Sequence, residues 1–165
     1  MKWLNDKELQ SGKYDWVGGG RDGLNEFRGK IQDELAMIDS EITLILENEL
    51  GKVEGREIGK KINQLLNFLK NEAQLKEFTD KDPNFPLNLK LLNKVRVFAA
   101  HGDSCINAKS GEEVVLIMET SGSRDGGLLF DENLAKETED LFNRCHMFIL
   151  NMQIELGYYD NELEL

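Results

Sequence analysis

Arg96 and His101 are the two residues of this chain whose types and spacing could do chemistry. An arginine grips a phosphate with two donors and stabilises developing negative charge, and a histidine titrates near neutrality, so it can accept a proton and return it. Both stand in the stretch Lys94-Val95-Arg96-Val97-Phe98-Ala99-Ala100-His101-Gly102-Asp103, whose apolar residues have the character of the buried side of a helix. Charge in such a setting needs a partner or a use. Gly102 suits the position after a helix end, which puts His101 in or just past the last turn, where a cationic ring is favoured beside the exposed carbonyls. At about 100° per residue, five steps set the two side chains about 140° apart on an ideal helix. They act together only where the helix unwinds near His101 or where a second copy closes a shared cleft.

The surroundings are locally basic. Between Leu87 and Ser110, Lys90, Lys94, Arg96 and Lys109 stand against Asp103 alone, in a chain whose formal charge is −11. Lys90 and Lys94 are candidates to steer an anionic substrate, and Asp103 or Ser104 to supply a polar group beside His101; each could equally be a solvated surface residue. The acidity of the whole speaks against a nucleic-acid interface spread over the surface and leaves a local one open. His146 beside Cys145 suggests a nucleophile with its base, but adjacent helical residues do not face each other, so Cys145 is expected in the core and His146 at its margin. The chain has 2 cysteines and 2 histidines, without the close-spaced pairs of a structural zinc site. No metal or cofactor is expected, and the thiols are expected to be reduced. Gly18-x-Gly20-x-x-Gly23 matches a dinucleotide fingerprint in letters only, because no buried strand precedes it and no βαβ unit follows.

The elements that must position these residues follow from apolar spacing. Leu24, Phe27, Ile31, Leu35, Ile38, Ile42 and Ile45 recur at steps of three and four, giving a long helix with Asp22 as cap and Gly51 as stop. Arg28, Lys30, Asp33, Glu41 and Glu47 are assigned to its opposite face. Ile58, Ile62, Leu65 and Leu69 mark a second helix to about Phe78, and a loop over 79–85 leads to a third that Pro86 opens and His101 ends. The run 103–112 is polar. The β-rich run 113–120 and Leu128-Leu129-Phe130 form a hairpin, and Asp131 caps a last helix through Leu134, Leu141, Cys145, Phe148, Met152 and Leu156. The expected fold is mainly all-α, a four-helix antiparallel bundle with a small β-hairpin between the third and fourth helices. Residues 1–23 are expected as a loose leader holding Trp3 and Trp16, 24–157 as the domain and 158–165 as an acidic tail. No apolar run is long enough to span a bilayer, no signal-peptide core opens the chain, and the cytoplasm is the expected compartment.

Two long helices, then a third ending in Arg-x4-His within an Ala-Ala-His-Gly setting, then a β excursion and a closing helix: this resembles the HEPN superfamily. The likeness covers roughly residues 24–156 in architecture and Arg96 with His101 in motif. It implies a metal-independent endoribonuclease of toxin or defence type, acting on RNA as a homodimer, with Arg96 and His101 as the catalytic pair and with a neutralising protein partner. Catalytic members usually carry a polar residue directly after the arginine, and here that residue is Val97. The alternative is a non-catalytic HEPN-like interaction or regulatory module that binds a protein or nucleotide.

Overall fold

Helix-forming spacing dominates the chain, and the protein is mainly helical. The computed structural model describes residues 1–5, 7–8, 16–18, 22–111, 113–118 and 124–159, with the backbone alone at 16–18, 22–23, 103–105, 113–118, 124–125 and 132. The helices are α1 (Asp22–Leu50), α2 (Ile58–Asn71), a 3-10 turn (Ala73–Leu75), α3 (Lys76–Lys81), α4 (Phe85–His101) and α5 (Glu132–Glu155). The strands are β1 (Trp3–Leu4), β2 (Trp16–Gly18), β3 (Asp103–Asn107), β4 (Glu113–Met118) and β5 (Arg124–Phe130). Among the described residues no helix is long and apolar enough to cross a membrane.

The four long helices stand where apolar spacing places them, and their ends have physical causes. Gly51 terminates α1 with φ +68°, a left-handed conformation that costs a glycine little, and its amide donates to the Glu47 carbonyl at 3.0 Å. Asp131 caps α5: its Oδ1 accepts from the amides of Asn133 and Leu134, both at 3.0 Å. The second helix is shorter than its apolar spacing suggests. It stops at Asn71, because Glu72 adopts an extended conformation (φ −89°, ψ 105°), and the 3-10 turn then buries Leu75. The segment expected as a loop over 79–85 begins inside α3, and Pro86 lies in the first turn of α4.

The hairpin β4–β5 is present between α4 and α5, but it is the middle of something wider, a five-stranded antiparallel sheet in the order β1-β5-β4-β3-β2. The polar run after His101 supplies β3, which pairs Cys105 with Val114 and Asp103 with Leu116. Backbone pairing, not side-chain character, makes this strand. The expected leader supplies both edges: Trp3 pairs with Leu128, and Trp16 with Asn107. The sequence positions 19–21, 121–123 and 160–165, which include part of the glycine cluster, the hairpin tip and most of the acidic tail, lie outside the described residues, as do the side chains of Trp16, Asp103, Ser104 and Cys105.

The chain divides into two compact units, with the boundaries inside α1, α4 and α5. One comprises Met1–Asp33 and Lys94–Asp140; its buried side chains include Leu4, Leu24, Phe27, Phe98, Leu128 and Leu134. Within it Phe27 meets Phe130 edge-on at 5.6 Å between ring centroids. The other comprises Glu34–Asn93 and the segment from Leu141 onward, with Ile42, Ile45, Leu65, Phe85, Leu89, Cys145 and Ile149 among its buried residues. There Lys61 joins α2 to α1 through Asp39 and Thr43, each at 3.0 Å, and Gln64 pins the link after α1 by accepting from the Glu54 amide and donating to the Lys52 carbonyl.

Candidate functional site

α4 remains helical through His101, so the last turn does not unwind to bring Arg96 and His101 onto one face. Their environments differ accordingly. Arg96 is partly buried, and its Nε is sealed from solvent with no hydrogen-bond partner. No ion pair engages its guanidinium among the described residues. His101 is exposed on the outer side of the last turn and makes no hydrogen bond among the described residues. Val97, between them, is half-buried and offers no polar group.

The helix end is organised by Arg28, expected on the polar face of α1 but lying at the edge of its apolar stripe. Arg28 of α1 is partly buried and donates from Nε to the Ala99 carbonyl and from a terminal nitrogen to the Gly102 carbonyl at 2.5 Å. Its cation therefore meets the orphan carbonyls at the negative end of the α4 dipole. This is the task a C-terminal histidine commonly performs, and His101 is relieved of it. The amide of Gly102 donates to the Phe98 carbonyl at 2.8 Å, and the chain passes directly into β3.

Of the remaining candidates, Lys94 holds its ammonium 4.3 Å from the centre of the Trp3 ring, which itself meets Phe98 edge-on at 4.9 Å. This cation–π contact ties α4 to β1 and explains how Trp3 anchors the start of the chain. Lys90 belongs to the other unit, where it lines a cavity. Asp103 and Ser104 are the first residues of β3. Arg96, His101, Lys94, Asp103 and Ser104 thus share one unit, and Lys90 does not join them there.

Cys145 and His146 occupy separate environments. Cys145 is a free, fully buried thiol whose pKa is pushed up to about 12, first by burial and then by the charge of Asp82. Such a thiol is protonated at neutral pH and is no nucleophile. His146 hydrogen-bonds Glu41 through Nε2 at 2.8 Å and stacks on Phe142, one helical turn away. The second oxygen of Glu41 is buried without a hydrogen-bond partner. No protein-family model matches the chain, and neither does any curated protein or solved structure.

Proposed function

We propose that the protein is a HEPN-like, metal-independent endoribonuclease working as a homodimer in the cytoplasm, with Arg96 holding the scissile phosphate and His101 moving the proton. The observation that carries this reading is the state of Arg96. In a chain with 31 acidic residues, its guanidinium has a buried Nε and no carboxylate or carbonyl partner among the described residues. A donor buried without a partner is costly, and in a native structure such a group calls for a use that offsets the cost. His101 supports the same reading, because Arg28 already satisfies the helix-end carbonyls and leaves the imidazole uncommitted.

The chemistry suits RNA alone. The ribose 2′-oxygen attacks the adjacent phosphorus as its proton passes to a base, the bond from phosphorus to the 5′-oxygen breaks, and that oxygen receives a proton. The products are a 2′,3′-cyclic phosphate and a 5′-hydroxyl. His101 serves as the acid or base, and Arg96 stabilises the charge that gathers on the phosphoryl oxygens. Because α4 is unbroken, the working pair consists of Arg96 from one copy and His101 from a second.

A non-catalytic HEPN-like module is the second reading, favoured by Val97 and by the absence of any group orienting the His101 ring among the described residues. Incubation of purified protein with end-labelled RNA in EDTA separates the two. We expect cleavage to cyclic-phosphate ends, reduced at least about 100-fold in Arg96→Ala and in His101→Ala. Intact RNA at micromolar wild-type protein, or variants that cut equally well, overturns the nuclease and leaves the module.

A further inference from the structure

We infer that the unit built from Glu34–Asn93 and the segment after Leu141 contains a binding site for a small aromatic monoanion, distinct from Arg96 and His101. The site is a cavity of about 370 Å³. That size falls in the range of small-molecule pockets, which combine an apolar lining with a few polar groups that fix orientation.

Its floor is aromatic. Phe85, at the start of α4, and Phe148 of α5 both line it, and they stack with centroids 3.8 Å apart and planes 14° from parallel. Both rings are almost wholly buried, at 1% and 7% exposure, and stack on each other, so they give the cavity a rigid apolar floor whose remaining aromatic edge a small aromatic ligand can meet.

The rim supplies charge. Lys70 of α2 and Lys90 of α4 line the same cavity, are exposed, and make no ion pair among the described residues. Asp82 also lines it, but one of its oxygens is engaged by the Asn84 amide at 3.2 Å. Two cations against one carboxylate leave a single net positive charge, in a chain that carries −11 overall. The first turn of α4, with Phe85 and Pro86 in the lining, adds the positive end of a helix dipole. An anion with one charge is matched by this set, whereas a dianion would leave charge uncompensated beside Asp82.

The test uses anilinonaphthalene sulfonate as the anionic aromatic probe and N-phenyl-1-naphthylamine as its uncharged counterpart, each titrated against the intact protein by fluorescence and calorimetry. We expect saturable binding of the sulfonate at one site per chain. In Lys70→Gln/Lys90→Gln, the sulfonate should bind at least tenfold more weakly while the uncharged probe stays within twofold. Asn67→Trp, which fills the cavity from its exposed rim, should abolish both, with thermal melting confirming that each variant is folded. The proposal is overturned if wild-type protein shows no saturable single-site binding, if the lysine variant binds the sulfonate normally, or if Asn67→Trp leaves the signal unchanged, as emission from loosened protein would.

Discussion

Arg28 and Arg96 carry the same side chain in opposite situations. Arg28 is committed to two carbonyls at the end of α4, and its removal leaves both without their donor. Hydrogen bonds from a charged donor contribute about 1.5–3 kcal/mol each, so Arg28→Ala should destabilise the protein by about 2 kcal/mol or more in urea unfolding, with Arg28→Lys intermediate. Arg96→Met, which keeps an apolar stem and deletes an unpaired cation, should be neutral or stabilising. Equal losses in the two variants would mean that Arg96 has a structural partner. The inward placement of Arg28, though not its carbonyl partners 71 and 74 residues away, was legible in the sequence. At about 100° per residue this arginine falls about 40° from Leu24 and about 20° from Leu35, at the edge of the apolar stripe and not opposite to it with Asp33. A cation on an apolar face is a signal in its own right, and the same geometry places Arg96 inward and His101 outward. Cys145 gives a pH prediction. Its folded pKa of about 12 lies above the ordinary thiol value, so the folded state keeps a proton that the unfolded chain loses first. The contribution is complete below about pH 8.5 and declines above it by at most about 1.4 kcal/mol per pH unit. Urea midpoints measured between pH 8 and 10 should fall more steeply in wild type than in Cys145→Ala.

At the scale of elements, helices and strands differ in how they are written. The helices α1, α2, α4 and α5 announce themselves through local periodicity, and Asp131 and Gly51 mark boundaries by side-chain and backbone chemistry that act within a few residues. β1 is two residues long and β3 is largely polar, so neither has a pattern of its own; each exists because a distant backbone offers it donors and acceptors. One glycine carries much of that arrangement. Gly126 in β5 has φ +111°, and a Cβ there would stand 2.6 Å from the Leu4 carbonyl oxygen of β1. Gly126→Ala therefore combines backbone strain with a clash against main chain. It should lower the urea midpoint by an amount equivalent to about 1–3 kcal/mol and shift Trp3 emission to the red as β1 detaches. An unchanged spectrum with normal stability would show that β1 is not held by this contact.

For the molecule as a whole, the proposed dimer makes a quantitative prediction. If each working site takes Arg96 from one copy and His101 from the other, mixing inactive Arg96→Ala with inactive His101→Ala protein gives heterodimers with one intact site of two. Random exchange should then restore about one quarter of wild-type activity. No recovery after subunit exchange would require both residues to come from the same copy. The edges of the sheet bear on solubility. Both outer strands, β1 and β2, are very short, a known means of discouraging sheet-to-sheet association. A variant lacking residues 1–18 uncovers β3 and β5 and should self-associate in sedimentation or light scattering at concentrations where the full chain does not.

The same topology sets a timetable for the protein during its synthesis. β1 emerges from the ribosome early, but its register partner, Leu128, follows only after α1 to α4 and the central strands have been translated. At about 5–20 residues per second, Trp3 remains without its pairing partner for roughly ten seconds. Helical segments of Glu34–Asn93 and the β2–β3–β4 pairings can begin to form in that interval, whereas β1 has to wait for β5, the strand it pairs with. Slowing translation after β4 should prolong the exposure of unpaired strands, and the yield of folded protein should be sensitive to codon choice there more than in the stretch encoding α2.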